Sequence, residues 1–463
     1  MGSQTFVRQI HIPAPAADVF RWHTRPGALE RLTPPWEKVE VLEQAGGIEN
    51  GSRVMLGVHL GPVCLRWVAE HRDVKAGHEF RDVQISGPFA RWEHTHRVKP
   101  DGPQACYLED RITYALPFDA LSRMLAGTPV RRKLDRLFAY RHTITHHDIM
   151  THMAYGQSQP LHILVTGSTG LVGSALVPFL TTGGHRVTRL VRSTPQAGAD
   201  AIPWDVLTGR LAPAYHAALT GIDAVVHLAA EPMASGRWSA RKKAAIRDSR
   251  VQGTRLLCER LAQLDTPPDV LVCASATGYY GNCGDEVLTE ASAPGTDFLS
   301  DVCRDWEAAT APARQRGIRV VHLRLGMILS MAGGALARMR LPFRLGAGGV
   351  MGDGRQYVSW IALDDVIGAI HHVLCTPPLH GPVNVVAPQP VTQRVLTRTL
   401  GHVRRRPIPL PRPAAAVRLV FGEMAETLWL ASRLVEPTRL LESGYTFRFP
   451  TLDSALRHLL GKM

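Results

Sequence analysis

No run of apolar residues in the 463-residue chain approaches the roughly 18–20 that a helix needs to cross a bilayer, so no membrane span is expected. The opening stretch MGSQTFVRQIHIPAPAADVF lacks a charged leader followed by an apolar core, so a secretory signal is not expected either. Phe6 stands where myristoylation after Gly2 would need Ser or Thr. Cysteine is scarce: the seven residues are widely spaced and contain no C-x-x-C, which argues against a disulfide framework and a zinc ribbon. Buried free thiols in a reducing compartment are the simplest expectation, and with the absent leader they point to a soluble, cytoplasmic chain. Lysine is scarce too. The 53 basic residues outnumber 40 acidic ones, for a net charge of +13, yet the arginines are spread along the chain without a long basic run. Such a surface attracts nucleic acid or an anionic cofactor, or it reflects composition alone. The missing concentrated patch argues against nucleic acid as the main partner.

What is present divides the chain in two. Residues 1–150 read as one α+β unit, residues 151–160 as a linker, and 161–463 as a second, larger domain. In the first, a strand over 5–12 precedes two short helical stretches broken by Pro26 and Gly27. Strand-like runs follow over 39–42, 53–60, 63–72, 79–85, 90–98 and 106–116, several alternating apolar and polar residues. A longer helix closes the unit, with Val130, Leu134, Leu137, Phe138 and Arg141 at helical spacing. Histidines gather here: His94 and His96 share one strand face, and His142 and His146 lie four apart on the helix. Helical histidines at that spacing can chelate a metal, but no third ligand stands at motif spacing, so hydrogen-bonded or solvated histidines and no metal are expected.

The second half opens with LHILVTGSTGLVGSALVPFL, an apolar strand, a Gly-rich turn and an apolar-faced helix, then a second strand over 186–191. Further strands are expected over 224–230, 269–275 and 319–326 with helical stretches between them, the pattern of a doubly wound parallel sheet. The turn comprises Gly167, Ser168, Thr169, Gly170, Leu171, Val172 and Gly173, spaced G-x-x-G-x-x-G. Gly167 permits the tight turn, Gly170 admits a pyrophosphate to the backbone N–H groups, and Gly173 lets helix and strand pack closely. The phosphates would sit at a helix N-terminus, where unpaired N–H groups and the dipole favour negative charge. About twenty residues on, where an acidic residue would hold a ribose hydroxyl, Arg192 stands instead. A guanidinium there can pair with a 2′-phosphate, so NADP(H) is expected over NAD(H). Leu228, Ala229 and Ala230 are expected on the adenosine side.

In the first half, GPFARWEHTHRVKPDG, YLEDRITYALPF and RRKLDRLFAYR resemble the START/polyketide-cyclase-like (helix-grip) superfamily over about residues 4–147. The resemblance implies a hydrophobic ligand held between sheet and helix. In the second half, TGSTGLVG, HLAAEP, GRWSARKKAAIRDSRVQGT, SATGYYG, DWEAA, RLGMILSMAGGAL and NVVAP resemble the extended short-chain dehydrogenase/reductases. More narrowly, they resemble a nucleoside-diphosphate-sugar-epimerase-like branch with a typical C-terminal segment over about 404–460. This resemblance implies a Rossmann fold with a substrate lobe from about residue 326. It also implies that Arg250 reaches the cofactor and that Gly326 lies near its nicotinamide end.

Relatives of this type pair a Ser or Thr ending the fourth strand with Tyr-x-x-x-Lys on the next helix. Ser275, or Thr277, fills the first role. Around DFLSDVCRDWEAAT, with Trp306-Glu307 as the landmark, Leu299 stands near the Tyr position and Cys303 near the Lys position, and neither side chain can move a proton there. Tyr279 or Tyr280 then donates the proton, or Ser275 and bound water suffice, or the site binds NADP(H) without turnover. Arg355, Gln356 and Trp360 are placed at the mouth of the substrate lobe, Arg355 as a partner for a phosphate or carboxylate. Two functions therefore stand side by side: an NADP(H)-dependent oxidoreductase or epimerase-like enzyme acting on a carbonyl or sugar-nucleotide-like small molecule, or a non-catalytic NADP(H)-binding sensor or scaffold. The oligomeric state is open.

Overall fold

The computed structural model describes residues 3–117, 119–156, 159–192, 200–205, 219–346, 348–408 and 411–462. The chain folds as two compact units: Met1–Ser158 with the short segments Thr181–Gly184 and Leu460–Met463, and Gln159–Leu180 with His185–Leu459. Residues 157 and 158 of the expected linker lie outside the described residues, and residues 151–153 are still helical.

In the first unit the strands are β1 (Gln4–Ile12), β2 (Val39–Ala45), β3 (Arg53–Leu60), β4 (Val63–Lys75), β5 (Glu79–Ser86), β6 (Arg91–Pro100) and β7 (Cys106–Ala115). They form one antiparallel sheet in the order β1-β7-β6-β5-β4-β3-β2. Helices α1 (Ala16–Thr24) and α2 (Ala28–Leu32) follow β1, and α3 (Asp119–Met153) closes the unit. This is the helix-grip order. Alternation along β7 turns Leu108, Asp110, Ile112 and Tyr114 to the buried face, and α3 answers with Leu134, Phe138, His142 and Ile149. Two apolar clusters result, one around Phe6, Ile112 and Phe138 and the other around Ile12, Trp22, Phe80 and Leu108. Arg31 of α2 is tied to Asp148 of α3 by a buried two-pronged pair at 2.7 and 2.9 Å, and such pairing is what makes burial of both charges tolerable.

In the second unit β8 (His162–Thr166), α4 (Gly173–Thr182), β9 (Arg186–Val191), β10 (Ala201–Pro203), β11 (Ala224–His227), α5 (Ala240–Ala262), β12 (Val270–Ala276) and α6 (Phe298–Ala308) lead into strands Arg319–Leu325 and Gly381–Val385. The parallel sheet has the order β10-β9-β8-β11-β12, then those last two strands. Its central strands are apolar almost throughout, as burial on both faces demands: Ile163–Val165, Val225–Val226 and Val270–Cys273 are all withdrawn from water. The chain winds outward from β8 to β10, returns to β11 on the other side of β8, and so opens the switch-point crevice between the ends of β8 and β11.

No helix among the described residues is long and apolar enough to cross a membrane. All seven cysteines carry free thiols; Cys106, Cys258, Cys273 and Cys303 are buried, whereas Cys64 is exposed.

Candidate active site

At the switch point the turn after β8 is built by steric necessity. Gly167 has φ +68°, and a Cβ there would lie 2.7 Å from the Ala229 nitrogen and 2.7 Å from the Leu228 carbonyl carbon. A Cβ on Gly173 would approach the Gly167 oxygen to 2.3 Å. Gly170 differs: its Cβ would meet only that same oxygen, at 3.2 Å, and otherwise open space. Thr169 and Gly170 are exposed, Leu171 and Val172 half-buried, and Gly173 opens α4. Ser168 is buried, and its Oγ has no hydrogen-bond partner among the described residues. An orphaned hydroxyl before a helix N-terminus, beside a turn closed to side chains at Gly167 and Gly173, is what a nucleotide phosphate would satisfy. The residues present therefore fit a dinucleotide.

Across the crevice, Thr166 Oγ1 accepts from the N–H groups of Leu228 and Ala229, both at 3.2 Å, and fixes the loop after β11 against the glycine turn. Thr166 also pairs with His227 at 2.7 Å, and His227 with Thr254 at 3.0 Å. Burial lowers His227 to about 4, so the ring is neutral and bridges hydroxyls without carrying charge. Ala230 is half-buried, and Arg192, at the end of β9, is exposed. Arg250 is buried on α5 and donates to the Glu231 and Ile246 carbonyls, both at 3.0 Å, with its guanidinium 5.0 Å from the Trp306 ring centroid. Burial lowers its pKa to about 10, still charged at neutral pH. Gly326 follows strand Arg319–Leu325, and a Cβ there would lie 2.6 Å from the Ser359 oxygen.

Beyond β12, Ser275 Oγ donates to Glu307 Oε1 at 2.7 Å. Glu307 is held on α6 by a two-pronged pair with Arg324 at 2.9 and 3.0 Å. The same guanidinium donates to the Tyr280 hydroxyl at 3.0 Å and lies 3.5 Å from the Tyr279 ring centroid. Burial opposes the charge on Arg324, but the Glu307 carboxylate and Tyr280 outweigh it and hold its pKa above the usual guanidinium value. The two tyrosines therefore separate. Tyr280 is 1% exposed, donates to Asn384 Oδ1 at 2.7 Å, and burial pushes its phenol up to about 12. Tyr279 is half-buried, against the face of Arg324. Leu299 and Cys303, both buried, pack on Gly278 beneath this turn, and burial pushes the Cys303 thiol up to about 12.

Glu307 and Arg324 were not legible as site residues. Glu307 reads only as a landmark after Trp306, and Arg324 as one arginine in an Arg-rich chain. The signal was available in hindsight: an Arg at the inward end of a buried apolar strand needs a carboxylate. Arg355 is exposed in a cleft of about 590 Å³ with Asp353, Arg394 and Arg398, and none of the glycine-turn residues lines it. Gln356 and Trp360 depart from the expected lobe mouth. Gln356 is buried and donates to the Met351 and Trp429 carbonyls, and Trp360 is fully buried with its indole N–H on Gln389.

A model of the NAD dependent epimerase/dehydratase family matches residues 163–385, and a domain of unknown function matches 412–459. An epimerase family protein of Mycobacterium bovis, Mb2239, is 43% identical over 294 residues, covering 64% of this chain and 96% of that protein. The chain belongs to this epimerase family. A human member, SDR39U1, is 35% identical over 65% of this chain and the whole of that protein. Among solved structures, that of human SDR39U1 isoform 2 with NADPH matches with a TM-score of 0.60 at 33% identity, over 65% of this chain and 100% of that one. A nucleoside-diphosphate sugar epimerase from Corynebacterium glutamicum matches with a TM-score of 0.80 at 34% identity, over 99% of this chain and 90% of that one. The family's sheet and glycine turn are thus joined here to a first unit whose residues 12–138 match the model for polyketide cyclase / dehydrase and lipid transport.

Proposed function

We propose that the chain is an NADP(H)-dependent oxidoreductase or epimerase-like enzyme acting on a carbonyl- or sugar-nucleotide-like small molecule, joined to a domain that takes an apolar ligand. One observation carries the cofactor half of this reading: the buried, unpartnered Ser168 hydroxyl beside a turn closed to side chains at Gly167 and Gly173. Ser168 and the N–H groups opening α4 would hold the diphosphate, and Arg192 would face the 2′-phosphate. The human relative solved with NADPH supports the choice of phosphorylated cofactor. The lipid-transport model that matches the first unit supports the apolar ligand.

The bound nicotinamide supplies hydride exchange; the proton is the protein's task. Because the Ser275 proton is committed to Glu307, the serine oxygen keeps acceptor capacity and suits a substrate hydroxyl. Tyr279, not the paired and buried Tyr280, is the proton donor, with its ring held in place by Arg324. Arg355, with Arg394 and Arg398, is suited to an anionic part of the substrate. One observation favours the non-catalytic alternative: the positions of the customary Tyr and Lys are the buried, apolar Leu299 and Cys303. A nicotinamide absorbance assay over a panel of carbonyl compounds separates the two, since a sensor is stabilised by NADPH without consuming it.

Cofactor choice has its own test. NADPH is expected to raise the melting temperature more than NADH at equal concentration, and Arg192→Ala to remove that difference. A bidentate Arg–phosphate pair contributes about 1.5–3 kcal/mol, which corresponds to an affinity ratio of roughly 10–100-fold. Equal shifts with both cofactors, unchanged by the substitution, would remove the NADP assignment.

A further inference from the structure

Against Phe80 of one apolar cluster and Phe138 of the other, which touch the His96 and His94 rings, lies a layer of ionisable side chains that the proposed oxidoreductase chemistry does not use. Sheet pairing assembles it. Asp82 on β5 is the register partner of His94 on β6, His96 is the partner of Asp110 on β7, and His71 on β4 is the partner of Asp82. His94 and His96, two apart, project from the same face of β6. His142 enters from α3. His94, His96, Asp110 and His142 are all at least nine-tenths buried.

Close contacts with the two carboxylates sort the ring nitrogens into two sets. The nitrogens turned to Asp110 are His94 Nε2 at 2.8 Å and His96 Nδ1 at 2.9 Å, with His142 Nε2 on its other oxygen at 2.6 Å. The opposite nitrogens, His96 Nε2 and His94 Nδ1, converge on Asp82 Oδ2 at 3.2 and 3.8 Å. One ligand atom from each of Asp82, His94 and His96 lies within 4.8 Å of the other two. Ligand atoms bound at about 2.0–2.1 Å around a tetrahedral zinc stand roughly 3.3 Å apart, so only a small contraction is needed. Metal-bound imidazoles characteristically turn their far nitrogen to a carboxylate, and Asp110 faces both rings in this way, hydrogen-bonded to His94 Nε2 and in ion-pair contact with His96 Nδ1.

The surroundings of the cluster are incompletely hydrogen-bonded. Asp82 Oδ1 and His71 Nδ1 are buried and 2.6 Å apart, yet neither makes an aligned hydrogen bond among the described residues, and His96 Nδ1 and His142 Nδ1 are likewise without one. The shell around the three ligand atoms is therefore not closed as a hydrogen-bond network.

The geometry points to a site for one divalent first-row transition cation held by Asp82, His94 and His96, with Asp110 orienting both imidazoles. Two nitrogens and one carboxylate oxygen suit zinc or a cation of similar character, and three protein ligands leave a fourth position for an anionic or carbonyl oxygen. Position along the chain conceals this site, because the third ligand lies on a neighbouring strand and not at motif spacing.

The test uses the full chain, stripped with a chelator and titrated with cobalt(II), whose tetrahedral complexes absorb strongly in the visible. The expected result is saturation at one cobalt per chain, with the band abolished in Asp82→Asn and in His96→Ala and retained in His146→Ala, a helix histidine outside the cluster. A folded wild-type chain with no band, or a band that survives both substitutions, overturns the site. Should either variant fail to fold, an anomalous-difference map of wild-type crystals soaked in cobalt decides the matter. A peak within bonding distance of His94 Nδ1 and His96 Nε2 supports the site, and no peak there overturns it.

Discussion

Arg324→Ala is expected to destabilise the second unit by about 3–5 kcal/mol, because it leaves the Glu307 carboxylate largely withdrawn from water without its partner. Both ends of this pair are shielded, with side-chain exposures of 4% for Arg324 and 13% for Glu307, so solvent screening returns little. The substitution also strips Tyr280 of one hydrogen bond and Tyr279 of the guanidinium that backs its ring. Arg324→Lys should recover only part of the loss, since an ammonium cannot reproduce the two-pronged contact. Denaturant unfolding followed by circular dichroism measures both. A loss below about 1 kcal/mol for Arg324→Ala, the value of an exposed pair, would show that the ion pair does not organise this site.

Tyr279→Phe and Tyr280→Phe are expected to fail in different ways. Removing a positioned proton donor lowers turnover by roughly 10²–10⁴-fold, so Tyr279→Phe should retain NADPH binding and stability but lose activity on whichever substrate the carbonyl panel reveals. Tyr280→Phe leaves Asn384 Oδ1 and one arm of Arg324 with a missing partner in the core, at a cost of about 1–3 kcal/mol in stability. Steady-state kinetics beside thermal melts separates the two. If Tyr280→Phe were the inactive, stable variant and Tyr279→Phe the active one, the assignment of the proton donor would be reversed.

The pattern of these residues explains what the sequence discloses. Strands with one apolar face announce themselves by alternation: the run expected over 53–60 is β3, and that over 106–116 is β7 to within one residue. Ends were harder. The run read over 39–42 continues to Ala45 because Glu43 and Gln44 still pair with β3 although their side chains are polar and exposed. The glycine turn is legible because its tight geometry is set by adjacent residues whose backbone and bulk are constrained together. The Ser275–Glu307–Arg324 assembly was not, because its members are 32 and 17 positions apart and meet only when β12, α6 and strand Arg319–Leu325 pack. Neither could local pattern separate Tyr279 from Tyr280. They are neighbours of one type, and their difference is set by Asn384, which arrives from the far edge strand.

In the proposed function, backbone N–H groups opening α4, together with Ser168, hold a nucleotide diphosphate. Gly170→Val tests it most directly, because a side chain at this position meets little of the protein and instead enters the space the phosphate would need. The measurement is an equilibrium titration of NADPH against the wild-type chain and this variant, with circular dichroism as a check that both are folded. Loss of two charge-assisted hydrogen bonds at about 1.5–3 kcal/mol each predicts affinity lower by more than about 100-fold in the variant. A folded Gly170→Val chain that binds NADPH as tightly as the wild type would contradict the account.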